Sequence, residues 1–190
     1  MKRTVSMFAL TAIAAGSALS VGQAWAGSDD TAEIQQFLTA PKGISDAIRA
    51  AETATGGKAI EAEFDDHKGA AAYEVKTVAG DKIAKVKIDA ASGQVVETKD
   101  KGTLAGKDDD DVVDPAKMTV SLLDVVTKAE AESGGKVMSV GHESEDGTAQ
   151  TELEIVKADG SQLDYTFDAT AAKLVPMIEG QGDSSEPSEG

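Results

Sequence analysis

The sequence predicts an α+β protein made of two tandem small domains, each one helix packed on a three- to four-stranded antiparallel meander sheet. Three observations predict it: an internal repeat, an apolar helical stripe opening each copy, and period-two segments closing each copy. A shift of 78 residues carries Gly56-Gly57-Lys58 onto Gly134-Gly135-Lys136, Ala51-Glu52 onto Ala129-Glu130, Gly69 onto Gly147 and Glu74 onto Glu152. A shift of 79 then carries Asp89-Ala90 onto Asp168-Ala169 and Val95-Val96 onto Leu174-Val175. The slip of one residue falls at the turns Gly80-Asp81 and Asp159-Gly160, where duplicated units tolerate it. The two units are residues 43–98 and 119–178.

Each unit opens with a helix. Ile44, Ala47, Ile48 and Ala51 lie at i, i+3, i+4 and i+7, and Leu122, Val125, Val126 and Ala129 repeat the stripe, so each helix has one apolar face. Ser121 is a good N-cap and Gly43 an acceptable one. Gly56-Gly57 and Gly134-Gly135 end the helices, because glycine takes the left-handed C-terminal position at little cost. Three alternating segments follow. Ile60, Ala62 and Phe64 share a face, as do Met138, Val140 and His142. Tyr73, Val75 and Thr77 match Thr151, Leu153 and Ile155, and Ala84, Val86 and Ile88 match Leu163, Tyr165 and Phe167. Period-two alternation means strands with one buried face, and a fourth short strand covers Val95-Val96 and Leu174-Val175. One apolar helix face and one apolar sheet face form the two halves of a core.

Residues 1–26 read as a secretory signal peptide. Lys2 and Arg3 precede an uncharged stretch from Met7 to Val21, and Ala24-Trp25-Ala26 is a small-x-small cleavage site. That stretch is too rich in Ser, Thr and Gly for a membrane span, and no later segment is apolar enough to be one. The expected location is the periplasm, or the medium after secretion. Residues 27–42 are an N-terminal extension with the stripe Ile34-Phe37-Leu38, residues 99–118 an acidic linker, and residues 179–190 a disordered acidic tail.

Composition narrows the chemistry. The chain has 190 residues, a formal charge of −16 and no cysteine, which excludes disulfides, thiolate metal sites and cysteine nucleophiles. Its acidity argues against nucleic acid as a partner, since phosphate binding needs clustered positive charge. Neither histidine has the spacing of a zinc peptidase: His142-Glu143 is followed by Ser144-Glu145-Asp146, and His67 stands alone in Asp65-Asp66-His67-Lys68. His142 takes the place of Phe64 and is expected to titrate at the edge of the core. No Gly-x-Ser-x-Gly elbow exists. The chain is therefore expected to be no enzyme and to hold no cofactor.

The helix stripe, the Gly-Gly-Lys, the alternating strands and the closing turn Asp89-Ala90-Ala91-Ser92-Gly93-Gln94-Val95-Val96 together resemble the PepSY domain. The second copy reads Asp168-Ala169-Thr170-Ala171-Ala172-Lys173-Leu174-Val175, with Ala172 in place of the glycine. PepSY domains occur in the propeptides of thermolysin-like metallopeptidases. The resemblance implies a non-catalytic module that binds, inhibits or regulates a peptidase of the cell envelope, or another periplasmic protein.

Two sets of residues are candidate sites. The run Asp108-Asp109-Asp110-Asp111 offers hard oxygen ligands to calcium or another divalent cation. It departs from the EF-hand pattern, because Val112 stands where a third ligand belongs and the required glycine is missing; as a like-charge run it reads first as a solvated linker that binds cations weakly. This is the alternative function, an acidic cation-binding envelope protein. The second set is the polar face of the strands. Lys76, Lys85 and Lys87 stand opposite the buried set in the first unit, while Glu152, Glu154 and Asp164 do so in the second. The first unit has 7 basic and 10 acidic residues, net −3, and the second 4 and 11, net −7. The two faces are expected either to bind different things or to face each other.

Overall fold

A computed structural model describes residues 28–66, 70–106, 112–145 and 148–177. The signal peptide, His67, the Asp108–Asp111 run and the tail lie outside these residues. The described elements are, in chain order, α1 (Ser28–Thr39), α2 (Ile44–Thr55), β1 (Lys58–Asp65), β2 (Ala72–Ala79), β3 (Lys82–Asp89), β4 (Val95–Thr103), α3 (Leu122–Ser133), β5 (Lys136–Glu145), β6 (Thr148–Val156), β7 (Gln162–Asp168) and β8 (Lys173–Pro176). Short 3-10 turns at Leu104–Gly106 and Pro115–Lys117 lie between β4 and α3.

Both halves follow the expected order of one helix and a four-stranded meander, but they do not form two separate sheets. The strands make one eight-stranded antiparallel sheet in the order β4-β3-β2-β1-β5-β6-β7-β8. The first strands of the two meanders meet, with Glu61 opposite Gly141, Ala62 opposite Val140 and Glu63 opposite Ser139. The physical reason is the edge. A meander on its own leaves its first strand with a row of unpaired N–H and C=O groups, and the two first strands satisfy each other. α2 and α3 pack against each other on one face, and one apolar cluster runs beneath them from Val86 and Ile88 through Ala62 and Val140 to Leu153 and Ile155.

The helix caps follow the sequence expectation. The Asp124 N–H donates to the Ser121 hydroxyl at 3.1 Å, and the Gly43 N–H donates to the Asp46 carboxylate at 3.4 Å. The paired glycines divide two tasks. Gly56 and Gly134 take φ of 66° and 67° as left-handed C-caps. Gly57 and Gly135 are needed for space: a Cβ on Gly57 would stand 2.7 Å from the Val78 carbonyl oxygen, and one on Gly135 would stand 2.9 Å from that of Val156. Each helix therefore turns directly beneath the second strand of its meander. A glutamate in the last turn then reaches the new strand. Glu52 accepts from the Ala59 N–H at 3.1 Å, and Glu130 from the Val137 N–H at 3.2 Å. Both amides lie where a β-bulge interrupts the ladder, between Ala59 and Glu61 and between Val137 and Ser139.

That bulge corrects one expectation. Ile60 does not share a face with Ala62 and Phe64; the extra residue turns it to the other side, where it packs with Val78 and Ile83 under Leu104, Val112 and Met118. The fourth strand is also longer than expected. β4 runs to Thr103 and takes in residues 99–103 of the expected linker, because β3 offers pairing along its whole length, from Ile88 opposite Val95 to Lys82 opposite Thr103. Leu163, assigned to a buried face, is 42% exposed near the start of β7. The N-terminal extension becomes α1, which lies over the seam. Phe37 meets Phe64 edge-on at 5.3 Å, Phe64 meets Tyr73 at 5.4 Å, and the Tyr73 hydroxyl donates to the Lys42 carbonyl at 2.7 Å. The Lys136 ammonium donates to the Leu38 carbonyl at 2.9 Å, so α1 is tied to both halves.

A shared core and a shared sheet should unfold as one unit. Calorimetry of the full chain is expected to show a single transition with equal calorimetric and van't Hoff enthalpies; two resolved transitions would contradict it. The closing turn of the second half carries a local cost. Ala172 holds φ of 51°, the conformation that Gly93 adopts at 74° in the first half. Ala172→Gly is expected to raise stability by about 1 kcal/mol, while Gly57→Ala lowers it by about 1–3 kcal/mol through the clash with Val78, both read from urea midpoints.

Candidate functional site

α2 and α3 cover one face of the sheet, so the side chains pointing the other way form, among the described residues, an open face. Period-two alternation from the buried positions Ala62, Val75 and Val86 puts Glu61 and Glu63 of β1, Glu74 and Lys76 of β2, and Lys85 and Lys87 of β3 on it. The same rule in the second half places Ser139, Gly141 and Glu143 of β5, Glu152 and Glu154 of β6, and Asp164 of β7 there. All six residues expected from the sequence thus lie on one continuous surface. The expectation that the two polar faces confront each other is overturned: the seam sets them side by side, because β1 pairs with β5 in the plane of one sheet.

In the first half the lysines have partners. Two directly opposed pairs are alike in charge and repel, Lys76 beside Lys85 and Glu63 beside Glu74, while two are opposite in charge, Glu61 beside Lys76 and Glu74 beside Lys87. Direct and diagonal ion pairs together offset the repulsion. Lys76 pairs with Glu61, and Lys85 pairs with Glu74 and lies 3.6 Å from Glu63. Lys87 lies 3.5 Å from Asp65 and 4.0 Å from Glu74. Burial opposes the charge of Lys85, yet the hydrogen bond and charge of Glu74, with Glu63 and Glu61 behind it, hold its ammonium above the ordinary value. Burial and the adjacent Glu61 charge push the Glu63 carboxyl up; Lys85 pulls the other way, and Glu74 and Asp65 add to the rise.

The second half presents carboxylates without that lattice of lysines. Along Ser139, Gly141, Glu143, Gln150, Glu152, Glu154, Gln162, Asp164, Thr166 and Val175 there is no basic residue, and Lys173 sits at the far corner opposite Asp168. Over the seam the face dips into a shallow concavity of about 400 Å³ between β1, β5, β6 and β7, with Met177 on its lining. The partner residues Glu61, Glu63 and Glu143 were missed from sequence. Their own alternation was visible, but the neighbour of β1 was not, so nothing placed them beside Glu152, Glu154 and Asp164. Among the described residues no group of three or more His, Cys, Asp or Glu is placed to hold a metal ion, and no helix is long and apolar enough to cross a membrane.

His142 lies on the helix-covered side, at the position Phe64 holds in the first half. Its Nδ1 and the Thr151 hydroxyl are 2.8 Å apart, and its Nε2 is buried with no hydrogen-bond partner among the described residues. Burial pushes the imidazole down from 6.5 to about 4. The unfolded chain therefore takes up this proton first, and stability falls as pH drops from about 6.5 to about 4. His142→Phe is expected to lose less melting temperature than the wild type between pH 7.5 and pH 4.5; equal losses would show that His142 carries none of the acid sensitivity.

Comparison with protein families matches residues 42–99 to PepSY, described as "Peptidase propeptide and YPEB domain". The matched segment covers α2, β1, β2, β3 and the first part of β4, and so includes the lysine lattice. Comparison with curated proteins finds no match. Among solved structures, a protein of Clostridium difficile 630 described as "a putative lipoprotein" is similar at a TM-score of 0.42 and 16% identity, over 70% of this chain and 90% of that one. A helix ending in Gly56-Gly57, a meander on its apolar face and the closing turn from Asp89 are what the family match covers, and over residues 42–99 this chain is similar to the PepSY family.

Proposed function

We propose that this chain is a non-catalytic binding module of the cell envelope, acting in the periplasm after export, and that it binds and restrains a peptidase. The observation that carries the reading is the PepSY match at residues 42–99, a family named for peptidase propeptides. The second half, residues 119–178, is a second PepSY-like unit on this reading. Its helix ends in the same glycine pair, its Glu130 repeats the Glu52 contact, and its bulge falls at the same place. A propeptide-like domain acts by occupying a surface of its target, which needs shape and charge and no catalytic group. The face opposite α2 and α3 offers shape and charge across the seam among the described residues.

The edges of the sheet suit this role less well. β4 is an edge of nine residues, but it carries Lys99 and Lys101 and is bulged near both ends, and β8 has only four residues and ends at Pro176. Charges, bulges and proline are the devices that keep an edge from adding a foreign strand.

The test is inhibition. Purified chain without residues 1–26 is added to envelope extract, and cleavage of a fluorogenic peptide substrate is followed with the bound peptidase recovered on the tagged chain. Slower cleavage, with a peptidase in the recovered complex whether or not chelator is present, is the expected result. Unchanged cleavage with no peptidase recovered overturns the reading, and capture that depends on divalent ions points instead to the cation-binding role.

A further inference from the structure

The seam between the two halves has a symmetry of its own. The repeat relates the two first strands by a shift of 78 residues, so Glu61 corresponds to Ser139, Ala62 to Val140 and Glu63 to Gly141. The register pairs Ala62 with Val140, its own counterpart, and pairs Glu61 with Gly141 and Glu63 with Ser139. The two halves therefore meet about a quasi-twofold axis that passes between Ala62 and Val140. In an interface of this kind the same patch of each unit meets its counterpart on the other, so a strand that fits its counterpart has the backbone to fit itself. The first half of a second copy is thus a competing occupant of β1. It would place Ala62 opposite Ala62, and Glu61 opposite Glu63 twice over.

The side chains decide between the two occupants. On the open face of the seam, β1 carries Glu61 and Glu63, and β5 carries Ser139 and Gly141. Pairing of unlike halves sets each carboxylate against a hydroxyl or a glycine. Pairing of two first halves sets carboxylate against carboxylate, at the separation of about 5 Å between the Cβ atoms of cross-strand neighbours. The lysines of the neighbouring strands are already engaged: Lys76 is on Glu61, and Lys85 is shared between Glu74 and Glu63. Even with Lys85 beside it, Glu63 is held above the ordinary carboxylate range by burial and by Glu61, Glu74 and Asp65, so a further carboxylate opposite it meets a site that is already crowded with negative charge.

We propose that β1 is a pairing site for the first strand of a unit of this fold, and that Glu61 and Glu63 determine its occupant: they admit the second half of the chain and turn away the first half of a second copy. The inference stands on register and charge and does not rest on the peptidase-binding reading.

The experiment gives β5 the charges that a second β1 would present, as Ser139→Glu and Gly141→Glu together, in the full chain without its first 26 residues. A Cβ at Gly141 would stand 3.8 Å from the Glu61 Cγ, an ordinary contact, so a side chain has room there. Ser139→Gln with Gly141→Gln matches the size without the charge. Gln35→Glu with Gln94→Glu, at two exposed positions, matches the charge away from the seam. In low salt the seam glutamates are expected to lower the melting temperature by at least about 3 °C more than either control. The gap is expected to vanish when Glu61→Gln and Glu63→Gln are added, and light scattering is expected to report a monomer throughout. No gap, or a gap that survives removal of the β1 charges, overturns the proposal. So does a dimer of the seam-glutamate variant, because β1 would then have accepted a second β1 with its carboxylates in place. Where the seam-glutamate variant does not fold, recovery of folding by Glu61→Gln with Glu63→Gln supports the proposal, and failure to recover overturns it. Where the glutamine control itself does not fold, Ser139→Glu against Ser139→Gln repeats the comparison with Gly141 kept and Glu63 opposite.

Discussion

Glu61, Ala62 and Glu63 of β1 pair with Gly141, Val140 and Ser139 of β5, and most of the rest of the molecule depends on that contact. It is short beside the pairings within each half, such as β5 with β6, which runs from Lys136 opposite Val156 to Glu145 opposite Thr148. Its effect is larger than its length. It removes two edges, brings Ala62 and Val140 into one buried layer, and lets α2 and α3 touch over a common core. The N-terminal helix closes the same place from above, with Phe37 on Phe64 and the Leu38 carbonyl held by Lys136. Units of about sixty residues bury too little surface to be comfortably stable alone, and a joint sheet is the economical remedy.

Within each half the chain solves one geometric problem in the same way twice. A helix must reverse beneath a sheet and begin its first strand with no connecting loop. A left-handed glycine makes the reversal, a second glycine clears the carbonyl of Val78 or Val156, and Glu52 or Glu130 caps an amide that the bulge takes out of the ladder. The bulge has a further consequence. It turns Ile60 away from the main core and so creates the small cluster that holds Leu104, Val112 and Met118 against the open face. The chain between the two halves thus covers one end of that face, and the seam remains the part left bare among the described residues.

The open face is where the halves differ. In the segment 42–99 that matches the PepSY family, lysines and carboxylates alternate and bind one another, and exposed pairs of that kind contribute little, about 0–1 kcal/mol each. They leave that half close to neutral on its polar side. The second half keeps the scaffold and replaces the lattice with acidic and uncharged polar groups, so a field that is balanced over β2 and β3 is unbalanced over β6 and β7. A duplicated fold that retains its glycines, caps and latches while changing its exposed charges keeps what stability requires and varies what a partner meets.

Element type was legible from sequence because it depends on local periodicity. The stripe Ile44-Ala47-Ile48-Ala51, the alternation Tyr73-Val75-Thr77 and the cap Ser121 all sit where their spacing puts them. The glycine pair was legible as a helix end, though not in its second task, because a close approach to Val78 involves a carbonyl twenty-one positions away. The six candidate face residues were legible as polar positions, since period two decides which side a residue takes once its strand is known. Whether the two sets confront each other or lie side by side was not, because Lys85 and Asp164 are related only through the pairing of β1 with β5. The bulge that moves Ile60, the length of β4 and the burial of His142 belong to the same class: each depends on which backbone lies alongside. The sequence by itself determined the helices, the strands and the charge each carries, because these follow from neighbours along the chain; the single sheet, its seam and the acidic dip over it were decided by tertiary structure, because edge pairing is made by hydrogen bonds whose partners no local pattern names.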